Sequence, residues 1–247
     1  MSGFARLRGT TSPERDRERM VLQQLRRRGI RDERVLQAME RVPREAFVPP
    51  RVASRAYDDA AVSIGEGQTI SQPYIVAAMC ELLALDGSEH VLDVGTGSGY
   101  AAAVLDELAG TVVSIERVAK LAGRAAEVLA ATGHETVDVR VGDGRYGAAD
   151  RAPFDAIAVA AATPEIPSAL VDQLAVGGRL VAPRGGPDGQ RLVLLVRTAT
   201  GPVETIGLAC RFVPLVGTDQ GPDPAGVCPP RYAPCPPQGI ACRTGCR

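Results

Sequence analysis

An α/β fold built on a doubly wound, mostly parallel sheet is predicted for this 247-residue chain. Three observations predict it. Short apolar runs alternate with amphipathic helical stretches from Val91 onward, the pattern of strands covered on both faces by crossover helices. The first run, Val91 to Val94, opens directly into a turn with glycine at alternate positions. The last strand-like runs, Arg179 to Ala182, Arg191 to Thr198 and one within Thr205 to Leu215, follow one another without helices between them, so an antiparallel edge is expected at the C-terminal end.

Residues 1 to 14 lack periodicity and are expected to form a disordered leader. Arg15 to Arg28 reads as a helix with apolar positions at Met20, Leu22 and Leu25, stopped by Gly29. A second helix is expected from Asp32, its N-cap, to Arg41, with Val35, Leu36 and Met39 on one face. Pro43, Pro49 and Pro50 then break the chain, completing an N-terminal helical extension over 15–56. Residues 57 to 72 read as a glycine-containing loop, and Pro73 suits the first turn of a helix running to about Leu85.

The core then alternates: strand Val91 to Val94, helix Tyr100 to Leu108, strand Thr111 to Ile115, helix Arg117 to Ala131, strands Val137 to Val141 and Phe154 to Ala160, and helix Ile166 to Leu174 closed by Gly177-Gly178. The expected organisation is one domain over 15–220, with a substrate segment at 57–90 and a Rossmann-like core at 91–220.

Composition narrows the function classes. Ten arginines lie within residues 1 to 34, but Glu14, Asp16, Glu18, Asp32 and Glu33 are interleaved with them, which reads as a solvated helix face. With a net charge of −1 and no aromatic-plus-basic cluster, no nucleic-acid partner is expected. No apolar run reaches the roughly 18 to 20 residues that cross a bilayer, and no apolar leader is present, so no membrane role and a cytoplasmic location are expected. Cys80 and Cys210 sit in apolar stretches and read as small buried hydrophobes. Residues 221 to 247 hold 7 Pro and 4 Cys, spaced C-x6-C-x6-C-x3-C. The tight C-x2-C pair of a zinc site is missing there, so a disordered tail and no metal are expected.

The stretch Asp93-Val94-Gly95-Thr96-Gly97-Ser98-Gly99-Tyr100 carries the chemistry. Glycine allows positive φ and close ligand approach, and the following helix N-terminus offers free N–H groups. The stretch is neither G-x-G-x-x-G nor a phosphate loop with Gly-Lys-Ser/Thr, and a tight strand-to-helix turn is the plain alternative. Glu116 shifts the balance. It ends the next strand, 17 residues beyond Gly99, where an acidic residue can accept both hydroxyls of a ribose. Gly142-Asp143-Gly144 ends the third strand, where an Asp can accept the exocyclic amine of an adenine. Three such features at successive strand ends describe an adenosine site. No pyrophosphate motif accompanies them, so S-adenosylmethionine fits better than a dinucleotide.

Several segments together resemble one family. They are Gly65-Glu66-Gly67-Gln68-Thr69-Ile70-Ser71-Gln72-Pro73, the glycine stretch above, Ser114-Ile115-Glu116-Arg117, Gly142-Asp143-Gly144-Arg145, Phe154-Asp155-Ala156-Ile157 followed by Ala161, Phe212-Val213-Pro214-Leu215, and Val42-Pro43-Arg44-Glu45-Ala46-Phe47-Val48. The chain resembles the protein-L-isoaspartate (D-aspartate) O-methyltransferases over roughly residues 20 to 217, and the Gln-Thr-Ile-Ser segment is the specific part.

The resemblance implies the fold of the class I S-adenosylmethionine-dependent methyltransferases and methyl transfer to the α-carboxylate of isoaspartyl residues in damaged proteins and peptides. The ester then closes to a succinimide, and hydrolysis returns part of it as aspartate. By position, Ser71 is implied as the active-site serine, with Thr69 and Ser71 between cofactor and substrate carboxylate and Ile64 on the substrate side. Gly95, Gly97 and Gly99 are implied at the methionine end with Asp93 and Thr96. Glu116 is implied at the ribose beside Arg117, Asp143 and Gly144 near the adenine, and Gln68 on the cofactor side.

A carboxylate has a reference pKa of about 4, so it is anionic at neutral pH and needs no general base. Ser71 therefore reads as a hydrogen-bonding positioner rather than a nucleophile, with His90 and His134 incidental. Arg184, in Pro183-Arg184-Gly185, departs from the small aliphatic residue usual in the family. It reads either as a solvated charge or as a recognition group for a second substrate carboxylate. Three functions stay open: repair of isoaspartyl residues, tailoring of one normal Asp in a ribosomal peptide to an aspartimide, and cofactor binding without catalysis. A monomer is expected.

Overall fold

A computed structural model of the chain describes residues 12 to 186 and 188 to 217. Most of the expected leader and all of the expected tail lie outside these residues. Helix α1 (Pro13–Met20) starts earlier than expected because Ser12 caps it and Pro13 fills its first turn. The helical stretch is also not uniform. A π-helical turn (Val21–Leu25) and a 3-10 turn (Arg26–Arg28) follow, ended by left-handed Gly29 at φ 102°. Met20, Val21 and Leu25 are buried, whereas Leu22 is 50% exposed. Val21 and Leu25 are i,i+4 neighbours on one face, and Leu22 lies a further step around the helix. Helix α2 (Glu33–Arg41) is capped as expected: the Asp32 carboxylate accepts the Arg34 amide at 2.9 Å.

The expected loop at 57–72 contains a hairpin instead. Strands β1 (Val62–Gly65) and β2 (Gln68–Ile70) pair antiparallel, with Val62 opposite Ile70 and Ser63 opposite Thr69. The alternating burial of Val62, Ile64 and Ile70 drives it, a pattern that the neighbouring glycines obscure in the sequence. Glu66 at the tip has φ 52°, and its carboxylate pairs with Lys120 at 2.7 Å. Helix α3 (Pro73–Leu83) follows and ends at Ala84.

The main sheet contains β3 (His90–Val94), β4 (Thr111–Glu116), β5 (Asp138–Val141), β6 (Phe154–Val159), β7 (Leu174–Gly186), β8 (Gly189–Thr198) and β9 (Gly201–Cys210). Their order is β5-β4-β3-β6-β7-β8-β9. Strands β3 to β7 run parallel, and β8 and β9 add the antiparallel edge. Helices α4 (Tyr100–Asp106), α5 (Ala119–Ala131) and α6 (Ser168–Asp172) connect the parallel strands. Gly177 and Gly178, expected as a helix stop, lie inside β7. A Cβ on Gly178 would come within 3.0 Å of the Asp155 carbonyl, so this stretch of β7 runs too close to β6 for a side chain. Strand β9 also starts earlier than expected, and residues 211–215 form an isolated bridge between Ala162 and Pro214.

Each face of the sheet buries its own apolar layer. Val91, Val112 and Val181 pack with Leu83, Leu105 and Leu121 of the helices on one face. Leu92, Val94, Ile115 and Ile157 pack with Leu170 of α6 on the other. Each such side chain removed from water contributes about 2 kcal/mol. The chain moves outward from β3 to β5, then returns to place β6 on the other side of β3. The strand order therefore reverses between β3 and β6, and a crevice opens over their carboxyl ends.

Candidate active site

The glycine turn leaves β3 at this reversal point. Gly95, Gly97 and Gly99 have φ of 98°, 54° and 90°, conformations that side chains rarely adopt. The amides of Gly95 and Thr96 both donate to the Ile115 carbonyl, at 2.8 and 3.2 Å, which fixes the turn to the end of β4. Ile64 of the hairpin reaches the same turn: a Cβ on Gly97 would lie 3.6 Å from its Cδ1.

Beneath the turn is a buried polar chain. The Asp93 carboxylate is fully buried, and its Oδ2 accepts the Ser114 hydroxyl at 2.7 Å. Ser114 Oγ in turn lies 2.6 Å from Thr96 Oγ1. Asp93 Oδ1 has no hydrogen-bond partner, an arrangement that favours a donor from a bound group. Burial pushes the Asp93 carboxyl up to about 6, Ser114 acts against that shift, and the Glu116 charge adds to it. Ser114 was not singled out from the sequence. Its signal is a lone hydroxyl within the apolar run Val112 to Ile115.

Glu116 ends β4 beside the turn. Its Oε2 accepts the Gly97 amide at 2.8 Å and its Oε1 the Val118 amide at 2.9 Å. The next strand end is adjacent, since the Gly142 amide donates to the Glu116 carbonyl at 3.0 Å. Asp143 caps the following 3-10 turn through the Arg145 amide at 3.0 Å and pairs with the Arg145 guanidinium at 2.8 Å. Gly144 has a packing reason to be glycine: a Cβ there would come within 2.4 Å of Val94. Arg117 is half-buried next to Glu116.

The hairpin supplies the other wall. Gln68 and Thr69 are half-buried on β2, and Ser71 follows it directly. A cavity of about 20 Å³ is lined by both Ser71 and Asp93, with Ala160 and Phe212. The Ser71 segment is anchored by Arg44, a residue with no catalytic pattern around it in the sequence. Arg44, fully buried, donates from Nη2 to the Ser71 carbonyl at 2.7 Å and from Nε to the Ala56 carbonyl at 2.6 Å. Its sequence signal is an arginine set between Pro43 and the apolar Phe47-Val48.

Arg184 is engaged with the edge strand. Its guanidinium pairs with Glu204 of β9 at 2.5 Å, and it lines a groove with Glu165 and Ile166 of the α6 side. On β7 it shares the parity of Leu180 and Ala182, which face the α6 layer, so its side chain leaves the opposite face of the sheet from Val181. The histidines are committed elsewhere: His90 contacts Thr111 and stacks on Phe154, and His134 pairs with Asp106 at 2.9 Å. Among the described residues no group of His, Cys, Asp and Glu is placed to hold a metal, and no helix is long and apolar enough to cross a membrane.

Known proteins share this chain's sequence and fold. The family model described as Protein-L-isoaspartate(D-aspartate) O-methyltransferase (PCMT) matches residues 16–220. A protein-L-isoaspartate O-methyltransferase 1 of Rhodopseudomonas palustris (strain HaA2) is 57% identical over 213 residues, covering 85% of this chain and 86% of the relative. A solved protein-L-isoaspartate O-methyltransferase is 31% identical with a TM-score of 0.74, over 81% of this chain and 66% of that one. A Plasmodium falciparum structure of this kind, in complex with S-adenosyl-L-homocysteine, is 27% identical with a TM-score of 0.70, over 79% of this chain and 96% of that one. With a family match across most of its length and a relative above half identity, this chain belongs to the protein-L-isoaspartate (D-aspartate) O-methyltransferase family.

Proposed function

We propose that this protein transfers a methyl group from S-adenosylmethionine to the α-carboxylate of L-isoaspartyl residues in damaged proteins and peptides. The observation that carries the reading is the approach of the hairpin to the glycine turn: a Cβ on Gly97 would lie 3.6 Å from Ile64 Cδ1, and Ser71 follows the hairpin directly. The cofactor, when bound, supplies a methyl carbon on a sulfonium. The residues present fit it. Glu116 offers carboxylate oxygens to the ribose hydroxyls, and the unpartnered Asp93 Oδ1 offers an acceptor to the methionine ammonium. Asp143 and Gly144 flank the adenine position, Thr96 and Arg117 support the turn and the ribose side, and Gln68 lies at the cofactor edge of the hairpin.

The protein's part in the reaction is placement. The substrate carboxylate is already ionised at neutral pH. The Ser71 hydroxyl and Thr69 hold one of its oxygens in line with the methyl group, while Ile64 and Phe212 limit water around it. The methyl ester leaves the enzyme. The following backbone nitrogen then attacks the ester carbonyl, methanol departs, and the succinimide opens by hydrolysis to aspartyl or isoaspartyl peptide. The reading takes the enzyme as a cytoplasmic monomer. The test is incubation of an isoaspartyl peptide with labelled cofactor. A base-labile methyl ester and gradual conversion to the aspartyl peptide are expected; no labelled ester contradicts the proposal.

A further inference from the structure

We propose that Arg44 is a positioning residue for methyl transfer, holding Ser71 in register with the cofactor turn; this rests on the reading of Ser71 above. Three anchors meet at one guanidinium. Nε and Nη2 donate to the carbonyls of Ala56 and Ser71, and the guanidinium carbon lies 4.7 Å from the centroid of the Tyr100 ring. Tyr100 is itself buried and is the first residue of α4, directly after Gly99. One side chain therefore ties the substrate-side segment to the helix that begins at the cofactor turn.

The manner of burial argues for a functional reason. Arg44 is 0% exposed, its Nη1 has no hydrogen-bond partner, and no carboxylate among the described residues forms an ion pair with it. Burying an unpaired charge is costly, and an apolar side chain of similar volume would fill the space without that penalty. Packing alone therefore does not account for an arginine here. Lysine could not replace it, since a single ammonium cannot span two carbonyls and lie flat on a ring as the planar fork does.

The test uses the full chain with Arg44→Lys, which keeps the charge, and Arg44→Met, which keeps the stem and removes the desolvation penalty. Methyl transfer to an isoaspartyl peptide, calorimetric binding of S-adenosylhomocysteine, and amide exchange over residues 68–72 are measured for each. For both variants kcat is expected to fall about 100-fold, the scale of a 1 Å misplacement. Binding of S-adenosylhomocysteine is expected to stay within about threefold, because a positioning residue acts on alignment rather than on ground-state affinity. Amide exchange at 68–72 is expected to quicken about tenfold while β3 and β4 are unchanged. In a Ser71→Ala background the further loss from Arg44→Lys is expected to be under about threefold, since coupled residues are not additive. Equal losses in both backgrounds, or wild-type kcat per folded molecule with unchanged exchange, would overturn the inference. A wild-type enzyme that methylates no isoaspartyl peptide would instead refute the function, and the exchange measurement would still decide the role of Arg44.

Discussion

Glu116 accepts the Gly97 amide at 2.8 Å, so the acidic end of β4 and the central glycine of the cofactor turn are directly bonded. The carboxylate thus orders the turn and offers acceptors to a ribose at the same time. Replacing Glu116 by Ala removes both contributions. Hydrogen bonds to charged groups contribute about 1.5–3 kcal/mol each. Calorimetry should show S-adenosylhomocysteine binding weakened by roughly 10- to 100-fold, with kcat at saturating cofactor little changed. Affinity within twofold of wild type would contradict the assignment.

Asp93 should make the protein pH-sensitive in a defined direction. Its carboxyl is pushed up to about 6 by burial, so the native state binds its proton more tightly than the unfolded chain. The stability this group contributes is present below its unfolded value of about 3.9 and is lost as pH rises through 6. Asp93→Asn, which mimics the protonated form, should gain stability relative to wild type between pH 4 and pH 7 in denaturant titrations. Cofactor affinity should behave oppositely, falling up to about tenfold per unit below pH 6 as the acceptor is protonated. A variant difference that is flat with pH would show that Asp93 keeps its charge throughout.

Ser71→Ala should lower kcat by about 10- to 100-fold, since it removes one aligning hydrogen bond, and shift cofactor binding less than threefold. Single-turnover assays beside calorimetry separate the two effects. Parallel losses would show that Ser71 mainly holds the cofactor.

Arg184→Ala should leave kcat/KM for an isoaspartyl peptide within twofold of wild type. Its partner Glu204 is on the edge strand, and a solvent-accessible pair of this kind contributes at most about 1 kcal/mol to stability. A large rise in KM would restore Arg184 as a substrate contact.

The β-α alternation was legible because β3, β4 and β6 are short and largely apolar, and because helices such as α2 open at a recognisable cap, Asp32. The glycine turn and Glu116 were legible because their residue types have few other reasons to recur at strand ends. The hairpin at Val62–Gly65 and Gln68–Ile70 was not, since glycines at 65 and 67 hide the period-2 pattern. In the sequence Leu174 continues the helical pattern of Val171, whereas pairing with Phe154 draws it into β7. Arg44 and Ser114 are not legible in the sequence because their importance lies in contacts to residues distant in the chain: Ala56 and Ser71 for Arg44, Asp93 and Thr96 for Ser114.

The central claim is tested most directly by methyl transfer to two peptides identical except for one residue, isoaspartyl in one and aspartyl in the other. The account predicts transfer to the isoaspartyl peptide and none detectable to its normal counterpart. Equal transfer to both, or a preference for the aspartyl peptide, would contradict it.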